Sequence, residues 1–325
     1  MSSQEPIEIS EVQASIEQIL AEVGKVYVGQ PQLVRLALVA LFAGGHVLIE
    51  SVPGLGKTLL VRLLGAVLGC HFQRIQFTAD LMPSDITGQP IFDQSENQFR
   101  FRPGPVFTQL LLADEINRSP AKTHAALLEI MQEGRVTVDG TTYDISPPFI
   151  VLATQNPIES EGTYSLPEAQ LDRFLFKLVV EYPTAEEEND ILRLHCRDER
   201  VDEQIEERLQ TIMNPDQIIA IQNTCRRVVV RDEVLTYINA IVRRTREWPA
   251  FYMGASPRAG IALLSGARVL AAFSGRSYVI PDDVAELVHS ALRHRVILSP
   301  EAEVEGETTD RALSSLLKTI EVPRR

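Results

Sequence analysis

The chain has 325 residues, of which 45% are hydrophobic and 23% charged, and this composition excludes wholesale disorder. Its 44 acidic and 31 basic residues give a formal net charge of -13, which argues against a protein that holds nucleic acid mainly through its overall charge. Three widely spaced cysteines, Cys70, Cys196 and Cys225, indicate reduced thiols rather than a disulfide framework or a zinc site.

The N-terminal segment lacks the basic and apolar blocks of a signal peptide. The longest apolar stretch, residues 34–48, is interrupted by Arg35, His46 and two glycines, so it falls short of the roughly 20 apolar residues that a membrane span needs. We therefore expect a soluble, cytoplasmic protein without a membrane anchor.

Short apolar runs alternate with helical stretches between about residues 30 and 182. Buried strands are predicted at 46–49, 109–113, 149–153 and 174–180, with a helix at 59–68 behind the first strand. Continuous apolar strands separated by helices are typical of a parallel sheet with helices on both faces. The sequence therefore predicts an α/β fold whose core is an αβα sandwich.

Two segments interrupt this alternation. Residues 79–107 are rich in proline, glycine and polar residues, and such a long excursion is more often a functional insertion than a plain loop. In residues 135–145, Asp139 and Gly140 separate two β-prone runs, which predicts a hairpin.

The pattern changes near Pro183. Residues 181–210 contain eleven acidic residues and four arginines, which we interpret as a solvated helix face. Helices are then predicted at 216–229, 233–246, 257–273 and 281–294, followed by an acidic loop and a short helix at 310–319. We therefore predict a core domain of residues 1–183 and a smaller, all-helical domain of residues 184–325.

A glycine-rich segment follows the first predicted strand. Residues 51–58 match the P-loop pattern, except that Ser51 replaces its first glycine. Backbone N–H groups around Gly54 and Gly56 suit phosphate oxygens, Lys57 suits the β- and γ-phosphates, and Thr58 suits Mg²⁺. A glycine-rich turn with an incidental Lys-Thr pair is the alternative. The candidate nucleotide-binding residues here are Val52, Pro53, Gly54, Leu55, Gly56, Lys57, Thr58 and Leu59.

Two acids end the strand predicted at 109–113. Acids at this place often cap the following helix, but with a P-loop upstream they indicate a second half of the same site. Asp114 is the candidate for holding Mg²⁺ and Glu115 for orienting the attacking water. Together the two motifs indicate binding and hydrolysis of a nucleoside triphosphate.

Further motifs follow in a fixed order. They are VGQ at 28–30, VPGLGKT at 52–58, DEINR at 114–118, ATQNP at 153–157, LPEAQLDRF at 166–174 and GASPR at 254–258. With these motifs the chain resembles the AAA+ ATPases, and specifically the MoxR family, from about residue 28 to residue 294. The resemblance implies a P-loop NTPase core with a helical lid.

The resemblance also implies site roles. Asn156 matches the sensor-1 residue, although Asn-Pro is also a turn dipeptide. Arg173 matches the arginine finger that is offered to the next subunit, and Arg258 matches the sensor-2 residue, expected to reach the γ-phosphate of its own site. For both arginines a surface role is the alternative. Val28 and Gly29 match the segment that packs on adenine, and a contact of Arg118 across a subunit boundary stays open.

The leading hypothesis from this resemblance is an ATP-driven, chaperone-like remodeller. It implies ATP and Mg²⁺ as cofactors, a hexameric ring, a partner with a von Willebrand factor A domain, and a client protein. The work would be assembly, maturation, or metal or cofactor insertion, with the elements at 79–107 and 135–145 facing the pore or the top surface of the ring.

Three alternatives remain open at this stage. A nucleotide-gated scaffold with little turnover conflicts with Glu115 and Arg173. A nucleic-acid motor conflicts with the charge balance of the two interrupting segments, so nucleic acid is not expected as a partner. A membrane is not expected either, because the sequence lacks an apolar stretch long enough to span one. A small-molecule kinase needs an acceptor pocket and does not need Arg173 across an interface.

Overall fold

The computed structural model describes residues 7–157, 163–196 and 208–323. The strands in these ranges are β1 (Val47–Glu50), β2 (Phe72–Gln76), β3 (Gly88–Asp93), β4 (Gln98–Pro103), β5 (Leu110–Asp114), β6 (Arg135–Val138), β7 (Thr141–Asp144), β8 (Ile150–Gln155), β9 (Phe176–Val179), β10 (Phe251–Met253) and β11 (Ile297–Leu298). The α-helices are α1 (Ile9–Gly24), α2 (Pro31–Ala43), α3 (Lys57–Val67), α4 (Pro83–Thr87), α5 (Ala121–Glu133), α6 (Glu168–Leu171), α7 (Ala185–His195), α8 (Pro215–Arg226), α9 (Asp232–Thr245), α10 (Pro257–Phe273), α11 (Pro281–Leu292), α12 (Pro300–Val304) and α13 (Thr309–Leu317).

Five parallel strands form the central sheet in the order β2-β5-β8-β1-β9. Successive strand residues point to opposite faces, and β1 illustrates the consequence. Val47 and Ile49 join an apolar cluster with side chains of α1, α2 and α3, whereas Leu48 joins a second cluster with side chains of α5. Helices on both faces confirm the predicted αβα sandwich.

Each of the four predicted strands is present, and its ends differ from the prediction by at most two residues. The edge strand β2 was not predicted from the sequence. Three of its five residues, Gln73, Arg74 and Gln76, are polar and exposed, so β2 lacks the continuous apolar run by which the buried strands are recognised.

The helices from α8 onward pack against the core. Helix α10 contacts α1 and α2, and α11 contacts β9, so one apolar cluster extends across the predicted boundary at residue 183. The division at that residue stays a proposal. The prediction of an exclusively helical second part needs one correction, because β10 and β11 form a two-stranded antiparallel ribbon. Strands of three and two residues are too short to produce a sequence pattern.

The two interrupting segments both contain hairpins. Helix α4 and the antiparallel pair β3–β4 occupy residues 83–103. Strands β6 and β7 pair across Asp139 and Gly140, whose φ angles are 47° and 78°, which confirms the hairpin predicted from Asp-Gly.

The acidic window predicted as a solvated face falls on α7 as far as residue 195, while residues 197–207 lie outside the described residues. The glutamate-rich stretch predicted as a loop instead begins with α12. Ser299 Oγ accepts the Ala302 N–H and so caps this short helix. None of the described helices combines the length and apolarity needed to cross a membrane.

Candidate functional site

The carboxyl ends of the parallel strands bring the candidate residues to one edge of the sheet. Ser51 follows β1, Asp114 ends β5, and Asn156 follows β8, which lies between those two strands. Ser51 N donates to Gln155 O at 3.2 Å, so the start of the P-loop is joined to the strand that carries Asn156. Ligands of open α/β sheets bind at this edge.

The P-loop runs from β1 into α3, which begins at Lys57. Gly54 and Gly56 have φ angles of 87° and 72°, a backbone that glycine adopts without the Cβ penalty. The described non-glycine residues with positive φ are Gln30, Asn97, Glu115 and Asp139. Ser51 is not among them, so its place in the loop needs no glycine.

Space and polar groups in the loop suit a phosphate. A Cβ added to Gly54 would meet no heavy atom within 4 Å. Lys57 Nζ donates to Ser51 Oγ at 2.7 Å and to Val52 O at 3.3 Å. Burial lowers the pKa of Lys57, while the charges of Asp114 and Glu115 act in the opposite direction. The lysine therefore lies in the field of both acids.

Thr154 on β8 connects the two acids. Its hydroxyl donates to Asp114 Oδ1 at 2.6 Å and accepts the Glu115 N–H at 2.8 Å. Glu115 has a φ of 56°, a left-handed backbone that costs a non-glycine residue about 1–3 kcal/mol. Such strain persists only where the surroundings fix the residue, and Thr154 supplies one of the contacts that does so.

Both carboxylates also contact basic or amide groups. Arg74 Nη2 lies 2.6 Å from Asp114 Oδ2, and Gln76 Nε2 donates to Glu115 Oε2 at 2.7 Å. Arg118 Nε lies 3.1 Å from the same Glu115 oxygen. Arg118 thus pairs with an acid of its own chain, and its contact across a subunit boundary stays a prediction.

A cavity of about 180 Å³ adjoins the P-loop. Its walls come from the segment before α2, the P-loop, the start of α3, Pro183 and α7. The residues are Val26, Tyr27, Val28, Gln30, Gly54, Leu55, Gly56, Leu59, Pro183, Ile191 and Leu194. The largely apolar lining suits a purine base. Val28 lines this cavity, whereas its neighbour Gly29 lies against the Glu187 side chain.

Arg173 lies at the opposite end of the sheet, where the parallel strands begin. It precedes β9, and Leu175 N bonds to His46 O just before β1 begins. Its Nη1 donates to Leu128 O at 2.8 Å, while its Nε is buried without a hydrogen-bond partner among the described residues.

Arg258 lies with Arg173 and not with the P-loop. The two arginines line one pocket together with Met131, Gln132 and Asp172. Two residues before Arg258, Ser256 Oγ donates to Asp172 Oδ2 at 2.9 Å. This placement at the amino end of the sheet does not support the expectation that Arg258 reaches the γ-phosphate of its own site, and that role stays a prediction.

Several site residues were missed by sequence reasoning. Arg74, Gln76 and Thr154 touch the acids, and Tyr27 lines the base cavity. Tyr27 directly precedes the VGQ motif, and this position was the signal that could have identified it as a residue of the base cavity. Arg74 and Gln76 gave none, because their strand was not predicted.

The donor set fits a nucleotide with its metal. Asp114 offers a carboxylate at the end of β5, and Thr58 follows Lys57 at the start of α3; such oxygen ligands suit Mg²⁺. The free N–H groups at the start of α3 suit a phosphate.

Comparisons with known proteins agree with this geometry. Residues 46–176 match the ATPase family associated with various cellular activities (AAA), and residues 243–316 match the AAA lid domain. The chain is 42% identical to Chaperone MoxR1 of Mycobacterium tuberculosis over 95% of this chain and 83% of that protein. It is 46% identical to the uncharacterized protein YeaC of Bacillus subtilis over 93% of this chain and 92% of that protein. A crystal structure from Cytophaga hutchinsonii superposes with a TM-score of 0.90 and 40% identity over 97% of both chains. The chain thus belongs to the MoxR family of AAA+ ATPases.

Proposed function

We propose that this ATPase works as a Mg²⁺-dependent ring, with six subunits, and remodels client proteins in a chaperone-like way. The observation that carries the proposal is the separation of Arg173 and Arg258 from the P-loop of their own chain. A finger and a sensor that face away from their own nucleotide can act only on the nucleotide of a neighbouring subunit.

The separation follows from the sheet itself. Arg173 lies two residues before Leu175, which bonds to His46, and Ser51 lies five residues after His46. At about 3.3 Å per strand residue, His46 and Ser51 are roughly 16 Å apart, farther than an arginine side chain extends. In a closed ring, two different surfaces of the subunit meet at every interface, so the amino end of one subunit's sheet can face the carboxyl end of the next.

Exposed large side chains on α10 and on the β10–β11 ribbon support an interface. Ile261 is 62% exposed and shares a face of α10 with Arg258, three residues earlier. Tyr252 on the β10–β11 ribbon is 79% exposed. Large apolar groups of this kind commonly mark contact with another protein chain.

Within one site we assign the following roles. Lys57 binds the β- and γ-phosphates, and Thr58 and Asp114 hold Mg²⁺, which neutralises phosphate charge. Glu115 orients the attacking water after leaving Gln76, while Asn156 contacts the γ-phosphate or that water. The neighbour's Arg173 and Arg258 stabilise the charge that develops on the phosphoryl group.

The chaperone-like role rests on family membership, since one relative is named Chaperone MoxR1, and on exposed aromatic surface. Phe92 and Phe99 form an edge-to-face pair across β3 and β4 and are 50% and 73% exposed. Apolar surface on a protruding hairpin suits contact with a client. A partner with a von Willebrand factor A domain and a cytoplasmic location belong to the same proposal.

The test is ATP turnover per chain over a series of protein concentrations, with Mg²⁺ present and the molecular mass measured at each concentration. We expect turnover per chain to rise as rings assemble. Turnover that stays constant while the mass shows monomers would overturn the shared site.

A mixing experiment tests the same point independently. Arg173→Ala removes the finger and leaves its own site intact, whereas Glu115→Gln disables its own site and keeps the finger. Each variant alone should be inactive, and the mixture should regain turnover. A mixture as inactive as its components contradicts a finger that acts in the next subunit.

A further inference from the structure

The peptide around Arg173 is held by side chains of the lid of its own chain. Asp172 Oδ1 lies 2.6 Å from Arg295 Nε, and Asp172 Oδ2 accepts a 2.9 Å hydrogen bond from Ser256 Oγ. On the other side of Arg173, the Phe174 carbonyl accepts from His294 Nε2 at 3.0 Å and from Arg295 Nη2 at 2.6 Å. Both neighbours of the candidate finger are therefore fixed by the lid.

A single guanidinium makes most of these contacts. Besides Asp172 and Phe174, Arg295 donates to the Leu175 carbonyl at 3.0 Å and to the Ala291 carbonyl. Arg295 is 6% exposed, and a buried charge with this many partners is held in one geometry. The segment 172–175, which contains Arg173, is thus held by the side chain of Arg295, the third residue after α11.

The Asp172 carboxylate also connects the backbone beside Arg173 with the backbone of Arg258, the other arginine of the shared pocket. Ser256 Oγ donates to Asp172 and accepts the Arg258 N–H at 3.2 Å, where it caps α10. A continuous hydrogen-bonded path therefore runs from Arg295 through Asp172 and Ser256 to Arg258. A tilt of the lid would therefore displace this path and the backbone of Arg173 with it.

We propose that Arg295 is a positioning residue that sets the place of Arg173 and Arg258 in the neighbouring subunit's site. Through it, the orientation of one subunit's lid controls hydrolysis in the next subunit. This inference rests on the proposed function, since it requires arginines that act across a subunit boundary.

The test variant is Arg295→Lys, which keeps the charge but loses the planar fork that reaches the Asp172 carboxylate and four backbone carbonyls. Misplacing a reacting group by about 1 Å can cost roughly 10²-fold in rate. We expect kcat to fall at least about 10-fold, while the Kd for a fluorescent ATP analogue stays unchanged because the variant's own P-loop is intact. Asp172→Asn and Ser256→Ala should act in the same direction, and they provide the test if Arg295→Lys does not fold.

Arg276→Lys is the matched control. Arg276 forms a comparable bidentate ion pair with buried Asp283 inside the lid, and the hydrogen bonds of this pair do not involve residues 172–175. We expect this control to keep kcat within about twofold of the wild type, since side chains remote from the reacting groups leave their geometry unchanged.

Mixing with Glu115→Gln distinguishes a displaced finger from general damage. Glu115→Gln supplies an intact finger to the intact site of Arg295→Lys, and rings assembled at random from equal amounts of the two variants offer this pairing at about one interface in four. Recovered turnover supports the proposal. If Arg173→Ala is rescued by Glu115→Gln but Arg295→Lys is not, the positioning role is wrong and the shared site stands. If neither variant is rescued, the shared site itself is wrong, and the positioning role with it.

Discussion

Ser51 Oγ accepts a 2.7 Å hydrogen bond from Lys57 Nζ, so the residue that departs from the P-loop pattern holds the P-loop lysine. We expect Lys57 to leave this hydroxyl when it binds a γ-phosphate. We expect Ser51→Ala to tighten ATP binding by up to about fivefold, because one hydrogen bond of about 1 kcal/mol no longer competes with the phosphate.

A titration with a fluorescent ATP analogue in the Glu115→Gln background measures this effect without hydrolysis. Ser95→Ala, in the exposed turn between β3 and β4, is the control. Weaker binding by Ser51→Ala would mean that the hydroxyl itself contributes to the phosphate site.

Arg74 and Mg²⁺ are expected to compete for Asp114. The guanidinium lies 2.6 Å from Asp114 Oδ2, and opposite charges at such a distance attract strongly even when partly exposed. We expect Arg74→Gln to lower the Mg²⁺ concentration that gives half-maximal nucleotide binding, by about tenfold or less. Nucleotide binding over a Mg²⁺ series measures it, with Arg135→Gln on the β6–β7 hairpin as the control. An increased Mg²⁺ requirement would instead show that Arg74 orients Asp114 for the metal.

His46 should make the fold sensitive to acid. Its Nε2 donates to Met131 O and its Nδ1 accepts the Val151 N–H, both at 3.0 Å, which requires the neutral ring. Burial lowers the pKa of His46 to about 4. Between about pH 6.5 and pH 4, the ring therefore binds a proton in the unfolded chain but not in the folded chain. The free energy of unfolding should therefore fall between about pH 6.5 and pH 4, by about 3 kcal/mol from this group.

Urea unfolding at several pH values in this window measures the loss. His46→Gln should flatten the dependence, whereas His71→Gln, at an exposed position, should leave it unchanged. Buried His294, whose pKa is also lowered by burial, contributes in the same direction, so some slope remains in the variant. A slope identical to that of the wild type would mean that His46 takes no part.

Gly254 allows the lid turn before α10 to close on α9. A Cβ at this position would lie 2.6 Å from the backbone N and Cα of Arg246, atoms that cannot rotate away. We expect Gly254→Ala to lower the free energy of unfolding by about 1–3 kcal/mol, measured by urea denaturation. Gly24→Ala is the control, since its Cβ would meet nothing within 4 Å and alanine favours a helix. Equal stabilities of the two variants would contradict this packing argument.

The nucleotide site could be recognised from sequence because each part is local. A strand, a loop with Gly54 and Gly56, and a helix that begins at Lys57 are contiguous, and the two acids directly end a buried strand. Parallel strands then bring these segments to one edge, whatever the rest of the chain does. The long apolar runs of β1, β5 and β8 made the sheet recognisable in the same way.

Contacts between distant segments were decided only by the tertiary structure. Arg295 and Asp172 are 123 positions apart, and Arg74 meets Asp114 only because the polar edge strand β2 pairs with β5. The GASPR motif identified Arg258, but the packing of α10 and α11 against α2 and β9 decided which end of the sheet it faces. Local residue order therefore determined the chemistry of the nucleotide site, whereas non-local packing decided which subunit each arginine can serve.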